Sequence, residues 1–341
     1  MVELSDPLRL IALSIARFSG FAAHAVLFGL VPVVLLVLRP ALARLGEGWE
    51  MGRSAVGERL EALTQAALVA SAAATALTLL LQAALVGEVT GADITKGSFQ
   101  SVLSTSFGRW HLLRLPLLVG LVVLLWGRVR TWAVAAAAPR ALWWAAWGLL
   151  ATGLLATSAL SGHAAVSQPL ALAIASDLLH FAAGAAWFAG IVCLTAVLPS
   201  GWRGRSAAER LELLVPVVLR FSRVALVAIL VAGATGTVNT LLQLGEPDDL
   251  IDTPYGRTLL AKICLYGVIL ALGGINHLYL RHRLVAGPDR RGHAVTFRRV
   301  VRAEAAVGLV ILALTGLLTG LARTKQYPIP PGQPVSVDRS T

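Results

Sequence analysis

Apolar residues run along this chain in long continuous stretches, without the alternation of a half-buried strand or the one-sided stripe of a surface helix. About 20 apolar residues cross the hydrocarbon core of a bilayer, which is roughly 30 Å thick. Backbone groups in lipid must pair within the chain, so Leu- and Ala-rich stretches of this length predict helices and exclude barrel strands. We therefore expect an all-α fold, a polytopic membrane helical bundle of about eight transmembrane spans, at approximately 10–38, 60–87, 110–127, 141–161, 171–198, 215–244, 257–280 and 303–322.

The composition agrees with a membrane protein and argues against several other classes of protein. The chain is 57% hydrophobic and 14% charged, with a mean hydropathy of +0.75. Its net charge of +11 lies in short clusters between apolar stretches rather than on one face, which argues against nucleic-acid binding. The sequence has no phosphate loop, nucleophile elbow, HExxH or CxxC motif, so we expect no enzyme activity.

The basic residues predict the orientation of the spans, because cytoplasmic loops carry the excess of Lys and Arg. Loops 39–59, 127–140, 199–210 and 281–302 hold 17 of them, against nine at the termini and around the other three loops. Both termini are therefore expected outside the cytoplasm. The 281–302 loop contributes most, and its arginines are also expected to contact anionic membrane lipid.

Two pairs of short motifs indicate an internal repeat. Glu58–Glu61 recurs as Glu209–Glu212, and Thr105–Arg109 recurs as Thr253–Arg257. We predict two tandem four-helix units, 1–165 and 166–341, in the same orientation and related by a pseudo-two-fold axis along the membrane normal. We call these the first and second units.

Ionisable side chains at membrane depth are the best functional candidates, because burying them in lipid is costly. In the spans these are His24, Asp177 and His180, while His111 and His163 lie at outer ends of spans. His24 and His180 occupy corresponding spans of the two units, so we expect equal depth, and convergence on one ligand if spans one and five meet. Asp177 precedes His180 by three residues and shares its helix face.

These residues leave several roles open. A lone intramembrane histidine often bonds a helix carbonyl, and His111 also fits an interfacial anchor. As ligands, imidazoles suit copper, zinc or iron rather than calcium or magnesium. Two facing histidines also fit axial ligation of haem b in a membrane cytochrome. Nearer the inner side, Glu304 is expected to pair with Arg302 or another loop arginine.

Several motifs, in order, resemble the membrane domain of the copper resistance protein D (CopD) family. The match covers about 175–322, and the turn at Ser161–Ala164 extends it upstream. The motifs are Leu179-His180, Ala186-Trp187-Phe188-Ala189-Gly190, Arg220-Phe221-Ser222, Gly233-Ala234-Thr235-Gly236, Thr253-Pro254-Tyr255-Gly256-Arg257 through Lys262, and Arg302-Ala303-Glu304.

The resemblance implies a plasma (inner) membrane protein that moves copper inward or handles it in copper homeostasis, often beside the periplasmic copper chaperone CopC. It points to His180 and His163 as metal ligands, and the repeat adds His24. Only two methionines are present, Met1 and Met51, so histidine ligation fits Cu(II), or Cu(I) held by two imidazoles. A haem-binding cytochrome and a copper sensor or scaffold without transport are the alternatives.

Overall fold

The computed structural model describes residues 7–89, 96–128, 137–286, 289–321 and 323–325, and these contain helices and no β-strand. The predicted all-α fold is confirmed. The helices are α1 (Pro7–Val33), α2 (Arg39–Leu42), α3 (Glu50–Val89), α4 (Lys96–Ser104), α5 (Ser106–Arg128), α6 (Ala137–Leu160), α7 (Leu170–Val192), α8 (Ala207–Gln243), α9 (Asp249–Asp252), α10 (Pro254–Gly274), α11 (Arg281–Ala286) and α12 (Arg290–Leu318).

Eight helical segments of the described chain are long and apolar enough to cross a membrane, which confirms the predicted spans. They are built on α1, α3, α5, α6, α7, α8, α10 and α12. Several begin well before the apolar stretch: α3 starts at Glu50 and α8 at Ala207. Apolar residues mark the part of a helix that lies in lipid. The helix itself begins where a capping residue satisfies the free backbone amides of its first turn. For α8 that cap is Ser206, whose side chain and Glu209 form a capping box.

The spans α1 and α7 occupy the centre of the bundle. About 61% of the apolar window is buried in each, against 33% or less in the other six spans. The two helices touch directly, because a Cβ on Gly29 would overlap the carbonyl of Ala185 and the Cβ of Ala189. Nearer the outer side, the rings of Phe21 and Phe181 meet edge to face at 5.5 Å. The expected meeting of spans one and five is observed.

The start of α5 is built like the start of α10. Thr105 accepts a hydrogen bond from the amide of Gly108 at 3.0 Å, and Thr253 accepts one from Gly256 at 2.9 Å. Each glycine lies against the short helix before it, α4 or α9, so closely that a Cβ would overlap its backbone. This repeated turn supports the prediction of two tandem units, which otherwise stays a prediction.

In the described chain, three of the spans contain a π-helical turn toward their C-terminal ends, at Val34–Leu38, Cys193–Val197 and Ile275–Leu280. The third turn carries Asn276, whose side-chain amide donates to Glu304 Oε1 at 2.5 Å. The expected pairing of Glu304 with Arg302 or a loop arginine is therefore wrong. Glu304 is only 4% exposed, so it bonds the polar group that the neighbouring helix presents at its own depth.

Enlarging Gly29 is expected to separate α1 from α7. Gly29→Leu should lower the free energy of unfolding by about 1–3 kcal/mol, because overpacking forces the two backbones apart. Thermal unfolding of the purified protein in detergent measures the change. Gly184→Ala on α7 is the control, since a Cβ there meets no atom within 4 Å. Equal stability of Gly29→Leu and the wild type would contradict this packing.

Candidate metal site

His24 is buried among serines of the first unit. Its Nε2 lies 2.9 Å from Ser71 Oγ on α3 and its Nδ1 lies 3.2 Å from Ser158 Oγ on α6. The side chain is only 1% exposed. Because hydroxyls engage both ring nitrogens, one donates to the bare nitrogen and the other accepts from the N–H. No lone pair of His24 is left for a metal ion in this arrangement.

His180 has a different hydrogen-bonding arrangement. Its Nδ1 lies 2.9 Å from the carbonyl oxygen of Ala232 on α8. A carbonyl only accepts, so the ring proton is on Nδ1 and the lone pair is on Nε2. Metal-binding histidines commonly have this arrangement, in which the nitrogen that does not bind the metal donates to a carbonyl or carboxylate. His180 is therefore prepared to bind a metal through Nε2.

Asp177 lies one turn before His180 and faces the same neighbour, α8. Its Oδ1 accepts a hydrogen bond from the side-chain amide of Asn239 at 3.4 Å. Lys262 on α10 acts electrostatically on both Asp177 and His180, which places the three side chains in one region of the second unit. The predicted sharing of a helix face by Asp177 and His180 agrees with this geometry.

The structure does not bring His24 and His180 together on one ligand. The partners of His24 belong to α3 and α6, whereas His180 bonds α8. Although α1 and α7 touch, the two imidazoles point away from this contact into different units. Within the described ranges, no three side chains of His, Cys, Asp or Glu are grouped as a metal site. The candidate site that remains is the pair formed by His180 and Asp177.

His111, near the start of α5, is buried within the bundle. It is 4% exposed, and its Nδ1 donates to the carbonyl of Phe107 at 2.9 Å, which leaves a lone pair on Nε2. Its ring lies over that of Phe107, with centroids 4.0 Å apart. The guanidinium of Arg114 acts electrostatically on His111 and on His24. This positive charge opposes cation binding in the first unit.

His163 lies in the turn between α6 and α7, at the end of the first unit, and its side chain contacts residues of the second unit. Its Nε2 is 3.4 Å from the carbonyl of Leu318, and its ring meets that of Tyr255 edge to face at 5.9 Å. Burial lowers the pKa of His163, and the charges of Arg323 and Arg17 lower it further. The imidazole is therefore neutral at neutral pH, with its lone pair on Nδ1.

The loop between α8 and α10 carries four acidic residues, Glu246, Asp248, Asp249 and Asp252, and we call it the acidic loop. It uses one of its carboxylates to hold its own backbone. Asp249 accepts from the amide of Glu246 at 2.9 Å. This hydrogen bond is the main reason that the pKa of Asp249 is lowered. The loop therefore adds negative charge at the mouth of the second unit rather than a set of ligands.

Sequence reasoning missed the cations of the site. Arg114 and Lys262 lie within the third and seventh spans, and each acts electrostatically on a histidine of its own unit. A signal was present, because Arg114 and Lys262 each stand nine residues after the threonine of the repeated turn. Arg17 on α1 was missed in the same way, although its Nη1 is buried without a hydrogen bond.

The fold and this geometry define a polytopic helical membrane protein with a histidine–aspartate pair in one unit. Family models described as "Copper resistance protein D-like, N-terminal domain" and "Copper resistance protein D" match residues 5–171 and 215–318. The chain belongs to the copper resistance protein D family. The resemblance seen in the second unit is thus confirmed, and the match extends over the first unit as well.

Two curated relatives are similar to the chain. "Copper transport protein CutJ" of Bacillus subtilis (strain 168) is 32% identical over 179 residues, which are 52% of this chain and 31% of that protein. The match thus covers about a third of the length of CutJ. "Copper resistance protein D" of Pseudomonas syringae pv. tomato is 25% identical over 322 residues, 93% of this chain and 96% of that protein. No solved structure matches the chain.

Removing His24 is expected to damage stability rather than metal binding. His24→Ala leaves the hydroxyls of Ser71 and Ser158 without their partner and opens a cavity, which should cost about 2–4 kcal/mol in free energy of unfolding. Thermal unfolding in detergent measures the loss, and Thr237→Ala, at an exposed position of α8, is the control. A stable His24→Ala variant that has lost metal would contradict this assignment.

Proposed function

We propose that this protein transports copper ions across the plasma membrane and holds the ion at His180 and Asp177 in the outer half of the second unit. The observation that carries the proposal is the Nε2 lone pair of His180, fixed by the Ala232 carbonyl, one turn from the carboxylate of Asp177. The family and the names of both relatives supply copper as the ion.

The two side chains have complementary tasks. Imidazole nitrogen is a good ligand for copper in either oxidation state, whereas carboxylate oxygen adds negative charge. A cation in the low-dielectric interior of a membrane protein needs such a charge, because water is not there to solvate it. Asn239 orients Asp177, and the Thr235 hydroxyl, 3.3 Å from His180 Nδ1, adds a second contact to the imidazole.

The outer side of the second unit leads toward this pair. His163 offers a neutral imidazole in the turn above α7, and it contacts Tyr255 at the start of α10. The Tyr255 hydroxyl donates to Gln243 Oε1 at 2.7 Å and thereby joins α10 to the end of α8. The acidic loop lies beside this junction and attracts cations. We assign to His163 the first contact with an arriving ion.

The proposed orientation follows from the charge distribution, and the proposed partner follows from the family resemblance. With the arginine-rich loops in the cytoplasm, His163 and the acidic loop face outward, where an extracytoplasmic CopC-like chaperone is able to deliver copper. The cytoplasmic arginines contact anionic lipid.

The two alternatives differ in what they require. A cytochrome needs two histidines that face one cofactor, and the hydrogen bonds of His24 to both serines give this reading no support. A copper sensor or scaffold would use the same His180–Asp177 pair without moving the ion. Uptake of copper into proteoliposomes separates transport from binding alone.

Copper binding is expected to depend on His180 and Asp177. His180→Ala and Asp177→Asn should each weaken binding at least about tenfold, because one ligand is lost from a small set. Titration of the purified full chain with Cu(I) and with Cu(II) measures affinity and stoichiometry, and radiocopper uptake into proteoliposomes measures transport.

His282→Ala is the matched control, since His282 is exposed near the inner ends of the helices. It should bind copper as the wild type does. Wild-type affinity and stoichiometry in both His180→Ala and Asp177→Asn would remove this site from the proposal.

A further inference from the structure

Each unit carries one basic residue at the same place in its third membrane-spanning helix. Arg114 follows the capping Thr105 of α5 by nine residues, and Lys262 follows the capping Thr253 of α10 by nine. At 1.5 Å per residue, both lie roughly 13 Å along their helices from the outer end. Both are thus within the outer half of the bilayer, at the level of the histidine of their own unit.

The first of these two cations is held by neutral partners. Arg114 Nε donates to Thr157 Oγ1 at 2.9 Å, and Nη2 donates to Ser161 Oγ at 3.2 Å. The side chain is 8% exposed. These hydrogen bonds tie α5 to α6, so Arg114 is part of the packing of the first unit.

The second cation has no such attachment. Among the described residues, Lys262 forms neither a hydrogen bond nor an ion pair. Lys262 lies one turn before Tyr266 on the same face of α10, and Tyr266 packs against Gly233 of α8. His180 packs against Gly236, three residues further along α8, so Lys262 lies level with the His180–Asp177 pair. Its ammonium acts electrostatically on Asp177 and on His180. Tyr266 joins α10 to α8 by donating to the carbonyl of Ile229 at 2.8 Å, which fixes the helix that carries Lys262. The helix is thus held in place while the ammonium is not bonded.

The charges of this region balance only when no ion is bound. Asp177 contributes one negative charge and Lys262 one positive charge, while His180, when it offers its Nε2 lone pair to the ion, contributes none. Copper bound at Asp177 and His180 adds one or two positive charges close to the ammonium. In a low-dielectric interior this repulsion weakens binding substantially.

We propose that Lys262 is the residue that makes the copper site reversible: its ammonium balances Asp177 in the ion-free protein and repels the bound ion, which lowers the affinity and promotes release. The inference rests on the proposed function, because it takes the His180–Asp177 pair as the copper site. It adds to the site a positively charged residue that does not bind the ion. Sequence motifs for metal sites list only the ligands and therefore do not include such a residue.

Neutralising Lys262 should therefore separate binding from transport. Lys262→Met is expected to lower the Kd for copper at least about tenfold and to slow the maximal rate of uptake several-fold, because the ion is held more tightly. Loss of a merely structural side chain would weaken binding and transport together. Copper titration of the purified full chain and radiocopper uptake into proteoliposomes measure the two quantities.

Two further variants keep the test decisive. Lys262→Arg retains the charge and should keep the wild-type Kd, and Lys262→Gln provides a second neutral variant if Lys262→Met does not fold. Arg114→Met removes the equivalent charge of the first unit and should leave the Kd within about twofold of wild type.

The outcomes distinguish this inference from the proposed function. If the wild type binds copper in a His180-dependent manner but Lys262→Met and Lys262→Gln do not tighten binding, the role of Lys262 is overturned and the site remains. Equal tightening by Arg114→Met also overturns it, because the effect would then be one of overall charge. If the wild type binds no copper, the proposed function fails, and this inference with it.

Discussion

The hydrocarbon core offers no water, so each polar side chain in the bundle must find its partner in the protein. This requirement decides the chemistry of the histidines. Two serine hydroxyls satisfy His24 completely and leave it structural. A single backbone carbonyl satisfies one nitrogen of His180 and leaves the other with a free lone pair. The difference between these two histidines lies in the neighbouring helices, which present hydroxyls in one unit and a carbonyl in the other.

The surroundings of His24 and of His180 are both built around the contact between α1 and α7. Gly29 allows the backbone of α1 to lie directly against Ala185 and Ala189 of α7. The remaining spans pack around this centre. The close contact turns the polar faces of α1 and α7 outward from it, toward their own units. Each histidine therefore meets the helices of its own unit, and the two units are free to differ. Among the described residues, only the second unit places a carboxylate, that of Asp177, beside its intramembrane histidine.

The sequence was sufficient to predict the helical class, the eight spans and the family, because long apolar stretches and several ordered motifs are local properties of the chain. It was not sufficient to predict the direction in which a side chain points. His24 and His180 occupy corresponding spans. However, the rotation of each helix about its own axis depends on its packing against other helices, which positions in the sequence do not show. Neither Arg114 nor Lys262 was expected at a site, since a count of basic residues does not separate loop charges from charges inside a span. Glu304 was assigned to a loop arginine because Asn276 on another helix is distant in sequence.

The π-helical turns at the C-terminal ends of α1, α7 and α10 affect how related sequences are read. A π turn contains an extra residue, and one residue corresponds to about 100° around an α-helix. A helical wheel drawn continuously through Val34–Leu38 or Cys193–Val197 therefore misplaces every position beyond the turn by about a quarter of a circle. In an alignment, a one-residue gap at these places is a change of helical winding and not the loss of a loop. Lipid-facing and core-facing positions must be assigned separately on the two sides of each turn.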